Sequence, residues 1–344
     1  MVFVTGASGL VGSHILIQLL KAGKKVRALR RPGSPVIQAT KTLGRYHLEN
    51  RLENQQEKNP NIQELQWVDG DLNDVHLLIE MLQNCTEVYH CAALVSFDPK
   101  DKELLFQTNA VGTENMVNAA LAAGIKKFCH VSSVATLGSS EKEISEESPW
   151  KSSPETSIYA ISKYAAEREV FRGMEEGLPS VIVNPSIILG PGNWKTGSSQ
   201  LFSRAHKGMK FFTAGSSGFV DVRDLAAIMV KLMNKNTFGG RFIVSAENLT
   251  YKNFFDLLCS ALNRPVPAIE AGQVLSILAQ KAEQFRSSLL NEKPLLTRET
   301  VRTALKQKRY ANAKIKSELG FEFMPIQKTI EETCRLFQSD LLSA

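Results

Sequence analysis

Tyr159 and Lys163 stand in the string YAISK, four residues apart, so on a helix both side chains project from one face. A free phenol has a pKa near about 10 and makes a poor base at neutral pH, whereas an ammonium within roughly 4–6 Å stabilises its phenolate. The pair therefore predicts a general acid–base group, Tyr159, whose pKa Lys163 lowers. The same spacing also occurs between unrelated residues on a helix surface, and position in the chain has to decide between the two. Ser132 and Ser133 close an apolar run and precede Tyr159 by 27 and 26 residues. A hydroxyl at a strand end can donate to a substrate oxygen while a phenol moves a proton to or from it.

A second constellation lies at the start of the chain. Residues 5–12 read TGASGLVG, with Gly6, Gly9 and Gly12 following an apolar strand and opening an amphipathic helix. Glycines there let the backbone turn tightly and approach a pyrophosphate, and the helix start offers unpaired N–H groups and a partial positive charge. Ser8, Leu10 and Val11 belong to the same turn; a glycine turn holding no ligand is the alternative. Eighteen residues past Gly12, after the second strand, stands Arg30, followed by Arg31. A carboxylate at that place would accept hydrogen bonds from both ribose hydroxyls and repel a 2′-phosphate, whereas guanidinium groups hold the phosphate. No acid is close in sequence; the first acidic residue of the chain is Glu49. NADP is thus favoured, NAD stays open, and one or both arginines could equally be plain surface residues. The six basic residues from Lys21 to Arg31 suggest a segment built for an anion.

These residues need elements to hold them. Strands are expected over 2–5, 25–30, 65–68, 87–90, 127–132 and 181–184, and helices over 10–22, 75–83, 104–123 and 158–176. Such alternation predicts an α/β fold, a doubly wound parallel sheet of the Rossmann type, carrying the chemistry at its carboxyl edge. The polar stretch 34–64 reads as a solvated helix over 38–58 with loops. After Gly190 the alternation gives way to Gly- and Ser-rich loops, a helix over 224–233, a strand over 241–244 and mostly helices. Residues 1–190 are expected to form the dinucleotide-binding domain, and 191–344 a smaller, mostly helical substrate-binding region partly interleaved with it. Substrate-side residues are expected from 192–208, 211–219 and 275–285. Trp194, Phe202, Phe211 and Phe212 fit either a ring-bearing substrate or simple core packing. The 274–285 pattern also suits an amphipathic helix facing a partner or a membrane surface.

Composition narrows the function class. The formal net charge of +6 is modest and does not imply nucleic acid. Five cysteines include no CxxC pair and six histidines no metal-ligand spacing, so no metal is expected and reduced thiols in a cytoplasm fit. No apolar run approaches the roughly 20 residues of a membrane span, and no signal-peptide pattern precedes the first strand. The expected partner is a small-molecule substrate.

The GxxGxxG turn, the Ser133–Tyr159–Lys163 order, the Asn184-Pro185 pair with LGPG at 189–192, FVDVRDLA at 219–226 and ELGF at 318–321 together resemble the extended short-chain dehydrogenase/reductase (NAD-dependent epimerase/dehydratase) superfamily. HVSSVATLG and PLLTRETVRTAL are most similar to dihydroflavonol reductase-like proteins, and HCAALVSF to 3β-hydroxysteroid dehydrogenase-like ones. The resemblance implies hydride transfer between nicotinamide and a ketone or secondary alcohol. It assigns the substrate-binding hydroxyl to Ser133, five residues before Gly138, and turns Ser132 toward strand or core. It also implies cofactor contacts at Asp71, Leu72, Cys91, Ala92, Ala93 and Pro185, as well as at Tyr159 and Lys163. Asn109, in TNAVGT, matches a family Asn that is either catalytic or ties strands together. A homodimer is the assembly such relatives often form. Dehydratases of the superfamily carry Asp and Glu where this chain has Val134 and Ala135, and epimerases carry an Arg where Ser217 and Gly218 precede Phe219. A reductase is therefore expected ahead of an epimerase, with a non-catalytic NADP sensor third.

Overall fold

A computed structural model describes residues 1–52, 60–138, 143–272 and 297–342. The β-branched and aromatic runs of the first half become β1 (Val2–Thr5), β2 (Val26–Arg30), β3 (Leu65–Asp69), β4 (Glu87–His90), β5 (Lys127–Val131) and β6 (Ser180–Pro185). They pair in parallel with β10 (Gly240–Val244) as a seven-stranded sheet in the order β3-β2-β1-β4-β5-β6-β10. The strand order reverses between β1 and β4, which opens a crevice at their carboxyl ends. The late strand β10, drawn from beyond residue 190, closes one edge with Phe242 opposite Val183.

Helices cover both faces, so the strands are apolar on both sides. One face carries α1 (Leu10–Lys21), α2 (Ile37–Leu52) and α8 (Val222–Lys235), whose Ile15, Leu19, Leu43, Ile228 and Leu232 pack with Val4, Tyr89 and Val183. The other carries α3 (Val75–Met81), α5 (Gly112–Ala122) and α6 (Ile158–Glu175), with Leu78, Met116, Val117 and Val170 against Phe3, Val88 and Phe128. Among the described residues no helix is long and apolar enough to cross a membrane.

Several elements depart from the sequence reading. The single helix expected over 104–123 is instead α4 (Lys102–Leu105), a π-helical stretch at Phe106–Val111 and α5. A π turn inserts one residue into the helical ladder, and here it carries the buried Asn109. Helix α2 is not simply solvated: Ala39, Thr42 and Leu43 are buried, Gln38 donates to the Pro191 carbonyl, and Arg45 pairs with Asp340. The rest of that expected helix, 53–58, lies outside the described residues. Much of the basic character before Arg31 serves packing: Lys24 pairs with Glu87, Arg27 donates to the Met81 and Gln83 carbonyls, and Lys21 lies 4.7 Å over the Tyr46 ring.

From residue 187 on, short strands appear that the sequence reading did not include: β7 (Ile187–Leu189), β9 (Ser216–Asp221) and β11 (Glu247–Thr250) form a second sheet, and β8 (Phe211–Phe212) pairs with β12 (Ile269–Glu270). Around them stand α7 (Gln200–Lys207), α9 (Tyr251–Ala261), α10 (Arg298–Leu305), α11 (Ala313–Leu319) and α12 (Ile326–Leu342). Phe202 is fully buried there, Trp194 packs on Phe202 and Phe337, and the Trp194 indole donates to Asp340 at 2.7 Å. Both aromatics thus pack in the core of this region, Trp194 at its margin. Residues 275–285 lie outside the described part.

Candidate active site

The glycine turn is closed as tightly as its residue types allow. Gly6 has φ +64°, and a Cβ there would fall 2.6 Å from the Ala92 nitrogen; one on Gly12 would fall 2.2 Å from the Gly6 oxygen. Gly9 caps α1 with no side-chain hydrogen bond, and no acidic residue sits in the first turn, so the helix start keeps its N–H groups and its positive end unopposed. A pyrophosphate fits such a cradle. Ser8, Leu10 and Val11 are half-buried along it. Across the turn, Thr5 Oγ1 bonds His90 Nδ1 at 2.7 Å and accepts from the Ala92 N–H, which holds the Cys91–Ala92–Ala93 backbone beside Gly6. Burial pushes the Cys91 thiol up to about 12, so it is a packing residue and not a nucleophile.

The residues expected on the adenosine side stand at the ends of β2 and β3. Asp71 accepts from the backbone and side chain of Asn73, and Leu72 packs against Gly112. Parallel register places Arg30 opposite Asp69, and the two form an ion pair, Nε to Oδ1 at 2.8 Å. An acid therefore does stand beside Arg30, brought there from 39 residues away. Arg31 is exposed.

The expected acid–base group sits at the carboxyl ends of β4, β5 and β6. Ser157 caps α6 by accepting from the Ala160 N–H, and Tyr159 and Lys163 follow one turn apart. The phenol is half-buried, edge-on to Phe97 at 5.7 Å, and burial raises its pKa above the usual value while a hydrogen bond with Ser133 works the other way. The cation one turn further along α6 is Lys163. That ammonium is 1% exposed and donates to the Val131 carbonyl at 2.8 Å, and burial brings its pKa down to about 8 against the pull of Glu167. The expected acidified phenol is thus not a property of the protein by itself, because burial outweighs Ser133 and the ammonium is turned toward β5.

Glu167 was not foreseen. It continues the Tyr159–Lys163 face by another turn, is 1% exposed, and accepts from Ser132 at 2.5 Å, Thr136 at 2.8 Å and Asn184 at 2.9 Å on one oxygen. Its other oxygen pairs with Arg241 of β10 at 2.8 Å. Asn184 also donates to the Ser133 carbonyl, so the turn bearing Ser133 is fixed from beneath. Asn109 likewise holds structure: it bonds both backbone groups of Leu94 and donates to Ser162, whose hydroxyl donates to the Tyr159 carbonyl. Pro185 ends β6 beside this group and is buried.

A family model described as the NAD dependent epimerase/dehydratase family matches residues 2–244. The chain belongs to that family. Its relatives in this family include a Synechocystis sp. protein named for dihydroflavonol 4-reductase, 29% identical over 98% of this chain and 94% of that protein. Cinnamoyl-CoA reductase 1 of Petunia hybrida is 26% identical over 98% of this chain and 92% of its own. Among solved structures, the crystal structure of gox2253 superposes with a TM-score of 0.79 at 28% identity, covering 99% of this chain and 98% of that one. As a member of this epimerase/dehydratase family, the chain is an NAD(P)-dependent enzyme of the extended short-chain type, and its relatives include proteins named as reductases.

Proposed function

We propose that this enzyme reduces a ketone to a secondary alcohol, or runs the reverse reaction, with NADP as the hydride carrier. The observation that carries the reading is the meeting of Ser133 and Tyr159 at the carboxyl edge of β5, with Lys163 one helical turn from Tyr159 and bonded to the Val131 carbonyl. A bound nicotinamide supplies or accepts the hydride at the carbonyl carbon. Ser133 donates to the carbonyl oxygen and orients it, and Tyr159 gives that oxygen a proton, becoming a phenolate that regains its proton from solvent. A phenol held above its usual pKa is fully protonated at neutral pH, which suits the reductive direction. Lys163 keeps ammonium hydrogens beyond the one spent on Val131 for a ribose hydroxyl, and its charge favours the phenolate once formed. Val134 and Ala135, which carry no proton-transfer groups, support simple redox over dehydration.

Arg30 supports NADP, since a guanidinium at the end of β2 can take a 2′-phosphate. Residues beyond 190 would supply the substrate-facing wall. A screen of ketones and secondary alcohols against NADPH, with NADH alongside, tests the proposal. Tyr159→Phe should cut kcat by roughly 10²–10⁴ and leave NADPH affinity nearly unchanged. Turnover with no net change in NADPH would select an epimerase instead, and an undiminished Tyr159→Phe rate would overturn the assignment of the proton donor.

A further inference from the structure

We propose that the substrate carries an anionic group, a carboxylate or comparable oxyanion, and that Lys308 receives it on the wall facing Ser133 and Tyr159. The inference rests on the reductase reading of that site and adds the class of molecule it takes.

Lys308 lies on the extended stretch after α10, which runs beside the first residue of β9. Its N–H donates to Ser216 Oγ at 3.0 Å and to the Ser216 carbonyl, and Ser216 Oγ donates back to the Lys308 carbonyl at 3.1 Å. The backbone is clamped, yet the half-buried ammonium has no hydrogen-bond or ion-pair partner among the described residues. Burial lowers its pKa, and the neighbouring charge that acts on it, Lys306, pushes the same way. The Glu155 carboxylate, which partners Lys306, is engaged in that ion pair at 2.9 Å. A partly desolvated cation without a counter-charge is costly, and a bound anion removes that cost.

Its neighbours tie Lys308 to the catalytic centre. Tyr310, two residues on in extended chain and so on the same side, packs with Val134, the residue after Ser133. The Tyr310 ring also abuts Gly218. A Cβ at 218 would fall 3.0 Å from Tyr310 Cδ2, 3.0 Å from Ser186 Cβ and 2.3 Å from Ser245 Oγ. Ser186 directly follows Pro185, and the hydroxyls of Ser186 and Ser245 are buried without partners. Ser217, next to Ser216, bonds the Tyr251 phenol. The wall therefore offers one cation among hydroxyls, a composition suited to an oxyanion and hostile to a second cation.

The test titrates NADPH-loaded protein with three aryl keto acids of increasing length, each beside its methyl ester, following the fluorescence of bound NADPH. The wild type should bind at least one acid about tenfold or more tightly than its ester, as expected for a charge-assisted hydrogen bond. Lys308→Met should erase that preference and Lys308→Arg keep most of it, with NADPH affinity and Tm unchanged in both. No acid-over-ester preference in any pair, or a preference that survives Lys308→Met, overturns the proposal. Failure of NADPH itself to bind would instead overturn the reductase reading.

Discussion

The guanidinium of Arg30 grips the Asp69 carboxylate through two parallel hydrogen bonds, Nε to Oδ1 at 2.8 Å and Nη2 to Oδ2 at 3.2 Å. A 2′-phosphate and Asp69 would draw on the same donors. Asp69→Asn should therefore tighten binding of 2′,5′-ADP by about threefold, the modest scale of an exposed pair, and more at low salt than at high salt. Arg30→Ala should lower affinity for 2′,5′-ADP by roughly tenfold while sparing 5′-ADP. Calorimetric titration of the two nucleotides checks both; equal losses for both ligands would remove Arg30 from the phosphate site.

Lys163 should set the alkaline limb of activity. With its pKa near 8, ketone reduction should fall above that pH along a single-proton curve, and Lys163→Arg should remove the limb even if it lowers the plateau. The fall will not reflect unfolding through this group. Between about 8 and its ordinary 10.5 the unfolded chain binds the proton more often than the folded one, so stability gains from Lys163 as pH rises through that window. Rate profiles alongside urea midpoints separate the two effects.

Glu167→Gln should destabilise the protein by about 3 kcal/mol, because it leaves Arg241 without its buried counter-charge. It should also lower kcat more than it changes KM, since an amide can offer its one oxygen either to Ser132, Thr136 and Asn184 or to Arg241 but not to both, which loosens the Ser133 turn. Glu167→Asp should restore part of kcat. Urea unfolding and steady-state kinetics test this.

His130 stacks on His90 at 5.3 Å with both ring nitrogens buried and unpartnered. Burial and the nearby Lys163 hold its pKa well below the usual 6.5, and His90 is brought down to about 3. Below pH 6.5 the unfolded chain takes up protons that the folded one refuses, so stability falls as pH drops. His130→Phe should remove one share of that slope, about 1.4 kcal/mol per pH unit, and cost little at pH 7. Urea midpoints at pH 7 and 5 measure it.

What could be read from the chain was what is local. The order of β1 to β6, the Gly6–Gly12 turn and the Tyr159–Lys163 spacing each lie within a short window whose periodicity or residue type speaks directly. The partners of those residues come from afar. Asp69 reaches Arg30 only through parallel register, and Glu167, a surface charge by any helical reading, becomes buried because β5, β6 and β10 bring Ser132, Asn184 and Arg241 to it. Extending the Tyr159–Lys163 interval by another four residues was the available signal for Glu167. Strands β9 and β11 were hidden by their Ser, Gly and Asn content, and the π turn by an ordinary helical pattern around Asn109.

One face of α6 carries Tyr159, Lys163 and Glu167 in succession, so the proposed proton donor, a buried cation and a structural keystone share a single rod. A change at Glu167 therefore reaches the Arg241 pairing and the Ser133 turn together. Change in what the enzyme accepts is therefore expected off that rod, at half-buried residues such as Lys308 that bond neither Glu167 nor the Ser133 turn.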